Sequence, residues 1–150
     1  MSERIFAGKT KLMNYKMIAT TVFTPLEYGV IGYSEDEARS LYGTDNVTAY
    51  HSAFKPLEWV YVENRPADIC YVKIVCKKDE NEKVIGLHFL GPNAGEVVQG
   101  FSVAINMGAT KEDLDATVGI HPTVAEEVLD IRLTTSEELT GGEGCKGCGF

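Results

Sequence analysis

Ile69-Cys70-Tyr71-Val72-Lys73-Ile74-Val75-Cys76-Lys77 alternates with a period of two. Ile69, Tyr71, Lys73 and Val75 fall on one side, and Cys70, Val72, Ile74 and Cys76 on the other. Both sides are mostly apolar, the pattern of a central strand. Lys78-Asp79-Glu80-Asn81-Glu82 then supplies a charged, solvated loop, and Val84 to Leu90 returns as a second apolar run. Two such runs around a short polar loop predict an antiparallel hairpin.

Upstream, residues 3–15 read as a helix end followed by a loop. Ile18 to Phe23 is strand-like, Thr24-Pro25 breaks it, and Tyr28 to Tyr33 resumes an apolar run. Ser34-Glu35-Asp36-Glu37 is a capping box, so a short helix should run to about Tyr42 and stop at Gly43. Val47 to Phe54 and Leu57 to Glu63 read as two strands around Lys55-Pro56. Downstream, Gly91-Pro92-Asn93 ends the hairpin. Ala94 to Met107 fits a helix with Val97, Phe101, Ala104 and Ile105 on one face, closed by Gly108. Thr110 opens another short helix, through Leu114 to Val118. Pro122 suits the first position of a last helix, striped by Val124, Val128 and Ile131. From Thr134 onward no period is visible, and Gly141, Gly142, Gly144, Gly147 and Gly149 crowd a segment that reads as a flexible tail. Strands followed by helices predict an α+β fold: an antiparallel sheet with helices packed on one face, plus the tail.

A chain of 150 residues has one domain as its prior and is long enough to bury a real core. Its 44% hydrophobic and 24% charged residues are ordinary for a globular protein. A net charge of −8 without a Lys/Arg cluster argues against a nucleic-acid surface. No apolar run reaches the roughly 18 residues of a membrane span, and Met1 to Phe6 lacks a signal-peptide pattern. The opening residues suggest the cut edge of a longer chain. Asn46-Val47-Thr48 fits a glycosylation acceptor but carries little weight without a secretory signal.

The four cysteines are of two kinds. Cys70 and Cys76 are separated by about 20 Å of strand, beyond disulfide reach, and are expected to be buried thiols. Cys145 and Cys148 form a C-x-x-C in the Gly-rich tail, where they can pair. This division points to a reducing intracellular compartment: the cytoplasm, with a mitochondrial form as the alternative. Redox use of the tail pair outranks zinc, because further ligands at fitting spacing are missing. Lys146 favours the thiolate.

His121-Pro122-Thr123 with Glu126 is the candidate for acid–base chemistry, and the structural alternative is a loop histidine packed by its neighbours. A histidine poised near neutrality can protonate a leaving thiolate and take the proton back. A carboxylate on its other ring nitrogen would set the tautomer. Glu126 is placed to make that contact; Glu127, about 100° further round a helix, points elsewhere. Thr123 and Glu126 also form a capping box, a purely structural reading that is compatible with the functional one. Gly142-Glu143-Gly144-Cys145-Lys146-Gly147 matches G-x-G-x-x-G but lacks the strand before and helix after that a dinucleotide site requires. Gly91 to Glu96 lacks the Lys-Ser/Thr ending of a phosphate loop. Trp59, Tyr61 and Phe54 read as core or interface aromatics, and His51 and His88 receive no role.

Several stretches together are similar to the C-terminal interface domain of the large, eukaryotic-type thioredoxin reductases, relatives of glutathione reductase and lipoamide dehydrogenase. They are Ala19 to Gly29, Phe54-Lys55-Pro56-Leu57-Glu58-Trp59, Gly86 to Glu96 and Gly119-Ile120-His121-Pro122-Thr123. The resemblance runs from about residue 4 to residue 132. It implies a homodimeric enzyme that uses FAD and NADPH, bound by domains preceding this one, so that no cofactor is expected on the fragment itself. It implies that His121 is acid–base for the redox dithiol of the other subunit, that Glu126 pairs with it, and that His121 and Pro122 lie at the flavin edge. It further implies that Cys145 and Cys148 take electrons from the other subunit's dithiol and pass them to thioredoxin. The tail departs from the common pattern: Lys146-Gly147 separates the cysteines and Gly149-Phe150 follows them. Val124 and Ala125 also replace the residues expected after Thr123.

The expected organisation is therefore residues 1–15 as the edge of a preceding domain, 16–133 as a dimerisation domain and 134–150 as a redox tail. The catalytic candidates are His121, Glu126, Cys145 and Cys148, with no metal, no membrane and no nucleic acid. The competing reading is a non-catalytic dimerisation module with a metal- or thiol-binding tail.

Overall fold

The computed structural model describes residues 2–10, 12–61, 70–129 and 131–136. In chain order the elements are α1 (Ser2–Phe6), β1 (Thr20–Val22), β2 (Glu27–Gly32), α2 (Glu35–Tyr42), β3 (Val47–Phe54), β4 (Cys70–Lys77), β5 (Lys83–Gly91), α3 (Ala94–Met107) and α4 (Lys111–Asp115). The five strands form one sheet in the order β1-β2-β5-β4-β3, with every neighbouring pair antiparallel. The α+β class and the antiparallel sheet are as the sequence predicts.

The hairpin of β4 and β5 lies at the middle of the sheet. Ile74 is opposite Leu87, Val72 opposite Phe89, and the register shifts at Val75/Cys76. Phe89, Ile74, Leu87 and Val72 are at most 1% exposed. Burying side chains of this size contributes roughly 1.5–3 kcal/mol each, and several of them in one layer hold the sheet to its helices. The turn closes with Asn81 and Glu82 at positive φ, 57° and 51°.

α3 covers β2 and β5 with Ala94, Val97, Val98, Ser102 and Ile105 buried. The predicted stripe is correct at Val97 and Ile105; Phe101 and Ala104 sit half-buried at its margin. Gly29 lets the helix approach β2, because a Cβ there would lie 2.7 Å from Val98 Cγ2 and 2.9 Å from the Ala94 carbonyl oxygen. α2 has the expected capping box, with Ser34 Oγ accepting from the Glu37 amide, and it stops at Gly43, whose φ of 87° favours glycine. α2 is the departure from a one-sided arrangement. Its Ala38 packs with Val47, Ala49, Val75 and Ile85, on the sheet face opposite α3. The physical reason is the two-sided apolar alternation of β4 itself.

Two expected elements form differently. Leu57–Trp59 is a short 3-10 turn, not the start of a strand, and of the remainder Val62 and Glu63 lie outside the described residues. Local bonds take its backbone groups: the Trp59 amide donates to Pro56 O at 2.9 Å and the Val60 amide to Leu57 O at 3.0 Å. The last helix is reduced to a 3-10 turn, Ala125–Val128, and Pro122 precedes it in a cis peptide with His121. Its apolar stripe is still used. Val128 and Ile131 are 0% and 4% exposed and Val124 is half-buried. The chain leaves the turn extended because Leu133–Thr135 pairs with β3. The His51 amide donates to Leu133 O and the Thr135 amide to Ala49 O, both at 2.9 Å.

Candidate functional site

Val128 and Ile131 sink into the core beneath the hairpin, and Val124, Ala125 and Leu129 pack against it. This anchors the turn from below and leaves His121 exposed and Glu126 half-buried. His121 keeps 41% of its side chain exposed and Glu126 21%. His121 Nδ1 is 2.9 Å from Glu126 Oε1. The ionised carboxylate can only accept, so Nδ1 carries the hydrogen of this bond, and in the neutral ring Nε2 is then the acceptor nitrogen.

Glu126 is itself held. Its Oε1 accepts from the Thr123 amide at 3.1 Å, and its own amide donates to Thr123 Oγ1 at 3.3 Å. The reciprocal bonds predicted from Thr123 and Glu126 are thus present although the helix is a single turn. One carboxylate oxygen serves both the backbone cap and the imidazole. A charged acceptor fixed in this way orients the ring with about twice the strength of a neutral hydrogen bond.

Gly119 completes the support. A Cβ at this position would lie 2.7 Å from the Glu126 Cβ and 3.4 Å from Leu129 Cδ1. Gly119 opens one of the stretches that carry the resemblance, but its contact with a residue seven positions on was not foreseeable from any local pattern. A second feature is a shallow groove where Phe54, Lys55, Pro56 and Leu57 face Pro122 and Glu127. It brings the loop after β3 beside the histidine turn, two of the stretches that carry the family resemblance.

The other histidines are structural. His88 Nε2 donates to the Tyr33 carbonyl at 3.0 Å, which leaves Nδ1 to accept from the Tyr28 hydroxyl at 2.7 Å. Burial pushes the His88 imidazolium below its ordinary pKa. His51 Nδ1 and the Tyr71 hydroxyl are 2.9 Å apart. Cys70 and Cys76 are fully buried, and burial pushes the Cys76 thiol up to about 12, far from a reactive thiolate. Cys145 and Cys148 lie outside the described residues. Among the described residues no three His, Cys, Asp or Glu side chains converge to hold a metal ion, and no helix is long and apolar enough to cross a membrane.

Residues 18–132 match the dimerisation domain of the pyridine nucleotide-disulphide oxidoreductases. The chain belongs to that family. This dimerisation domain is 55% identical over 148 residues to thioredoxin reductase SEP1 of Emiliania huxleyi, a match that takes in 98% of the chain and 30% of the relative. The chain therefore spans less than a third of that protein's length. The crystal structure of LpdA from Mycobacterium tuberculosis superposes with a TM-score of 0.72 at 18% identity, covering 86% of this chain and 27% of the other. At that identity the match concerns the fold. The His121–Glu126 pair lies within the matched span.

Proposed function

We propose that this dimerisation domain belongs to a homodimeric thioredoxin–disulfide reductase, to which it supplies an acid–base histidine, His121, and a C-terminal dithiol, Cys145 and Cys148. The observation that carries the reading is the 2.9 Å contact between His121 Nδ1 and Glu126 Oε1, on a carboxylate already fixed by Thr123. The identity to a protein named as a thioredoxin reductase supports the choice of substrate.

In the proposed exchange His121 takes the proton of an attacking thiol and becomes imidazolium, which Glu126 stabilises. The thiolate so formed, from the partner subunit's dithiol, attacks one sulfur of the Cys145–Cys148 disulfide. That S–S bond breaks, a mixed disulfide forms, and His121 returns the proton to the leaving sulfur. The second thiol of the donor pair resolves the mixed disulfide, so the donor is oxidised and the tail pair reduced by two electrons and two protons. The reduced tail then passes both to the disulfide of thioredoxin by the same exchange.

FAD, with NADPH as its source, would supply the electron pair from the rest of the parent polypeptide. The residues here fit only the rim of such a group. A dinucleotide cradle needs a parallel βαβ unit, whereas every strand pair described is antiparallel. The exposed His121 and Pro122 are the residues that would line its edge.

The test is His121→Ala in the full-length parent. General acid–base catalysis contributes roughly 10²–10⁴-fold, so thioredoxin-dependent NADPH oxidation should fall at least about 100-fold while NADPH still reduces the flavin. Native turnover in the variant would refute the acid–base role.

A further inference from the structure

Apart from the histidine turn, the loop end of the β4–β5 hairpin borders a second, open cavity of about 230 Å³. It shares no lining residue with the groove beside His121. Tyr42, the last residue of α2, contributes to its lining, as do Ile105 and Asn106 of α3. Asn106 Nδ2 donates to Met17 O at 3.2 Å, which ties the segment before β1 to α3. The Tyr33 and Tyr42 rings meet edge to face, 5.8 Å apart at 82°. With Met17, Ile85 and Ile105 they supply the apolar part of the wall. A void of about 150 Å³ is enough for benzene, so this cavity has room for a ring and a substituent.

Two ammonium groups of the lining converge on one carboxylate. Lys77 Nζ donates to Glu80 Oε1 at 2.7 Å and Lys83 Nζ to Glu80 Oε2 at 2.9 Å. One oxygen for each lysine means that the pair is spaced for a single bridging carboxylate, and Glu80 fills that seat from a loop. Lys77 is held: its side chain is 16% exposed, and its ammonium lies 3.3 Å from Asp79 Oδ1 and 4.9 Å from the centre of the Tyr42 ring. Glu80 is 44% exposed. Exposed ion pairs contribute little, so a carboxylate from solution can displace this one at small cost. With Glu80 swung away, Lys77 and Lys83 face Asp79 alone, and the rim is net positive. We propose that the cavity is a binding site for a small aromatic carboxylate, whose carboxylate bridges Lys77 and Lys83 in place of Glu80 and whose ring lies against Tyr33 and Tyr42. The inference is independent of the redox role proposed for His121.

The test is a fluorine NMR titration of para-fluorobenzoate into the full-length parent, as the native chain and as Glu80→Gln, Lys83→Met and Lys78→Met. An exposed ion pair amounts to a factor of up to about five. Removing the resident carboxylate in E80Q should therefore tighten binding about fivefold. K83M keeps most of the stem and loses the charge, and it should weaken binding about fivefold. Lys78 is exposed and outside the cavity, so K78M should bind as the native chain does. Two further probes separate the charge from the ring: para-fluorobenzamide, followed by fluorine NMR, and acetate, as a competitor of the benzoate. Each should bind at least about fivefold more weakly than the benzoate. Binding that is absent from both the native chain and E80Q overturns the proposal, as does equal affinity in the native chain, E80Q and K83M. Benzamide as tight as the benzoate removes the lysine seat, and acetate as tight as the benzoate removes the aromatic class of ligand.

Discussion

Gly119→Ala is the sharpest probe of how the histidine turn is held. The added methyl would sit 2.7 Å from the Glu126 Cβ and 3.5 Å from its Cα. Ordinary contacts begin near 3.4 Å, so Glu126 must retreat by about 0.7 Å, while Leu129 Cδ1 at 3.4 Å already stands at contact distance. The carboxylate then leaves the 2.9 Å contact with His121 Nδ1 and the 3.1 Å contact with the Thr123 amide together. Overpacking of this kind costs roughly 1–3 kcal/mol of stability. A displacement of about 1 Å in a positioning group costs on the order of 10²-fold in rate. The assay is NADPH-driven thioredoxin reduction by the full-length parent, paired with thermal unfolding. Gly100→Ala is the control, because a Cβ at Gly100 in α3 meets nothing within 4 Å. It should leave turnover unchanged and stabilise the helix by roughly 0.5–1 kcal/mol. Native turnover in Gly119→Ala, or a structure of that variant with the His121–Glu126 contact intact, would refute the claim that this glycine sets the position of the carboxylate.

Three further outcomes are expected. Cys148→Ser in the full-length parent should abolish thioredoxin reduction while NADPH still reduces the flavin; thioredoxin turnover by that variant would exclude the tail pair as the carrier. Cys76, with its thiol pushed up to about 12 by burial, should resist alkylation at pH 8 until the protein is unfolded, as mass spectrometry of the labelled peptides would show. Thr135, Lys73 and Arg39 hydrogen bonds hold the Glu35 carboxyl down to about 2 against its burial. A depressed carboxyl contributes stability above its unfolded value, near 4.5, and loses it as pH falls toward 2. The advantage of the native chain over Glu35→Gln in urea melts should therefore be constant above about pH 5 and shrink below it; an advantage independent of pH between 5 and 2.5 would contradict the assignment.

Where the chain signals its structure locally, the reading and the fold agree. β3 and α3 form at the residues their patterns mark, Val47–Phe54 and Ala94–Met107. Ser34 with Glu37 starts α2, and Gly43 stops it. Each signal is a period or a cap within a few residues. The strand expected from Leu57 rests on β-prone side chains alone, and Pro56 with its local hydrogen bonds overrides them. At the site, His121 and Glu126 are close enough in sequence for their contact to be foreseen. The close approach of Gly119, the groove beside Lys55-Pro56 and the tie between Glu35 and Thr135 were not legible. Each joins residues whose neighbourhood exists only after the chain has folded.

Sequence by itself determined the antiparallel hairpin, the amphipathic α3 and the pairing of a histidine with a carboxylate, because periodicity and capping act over less than about two turns of chain. The tertiary structure alone decided that the last apolar stripe becomes a short turn. It also decided that α2 lies on the second face of the sheet, and that a carboxylate one hundred residues upstream holds Thr135. Those outcomes depend on which surfaces remain unburied and which backbone groups remain unpaired once the sheet is assembled, and no local pattern encodes either.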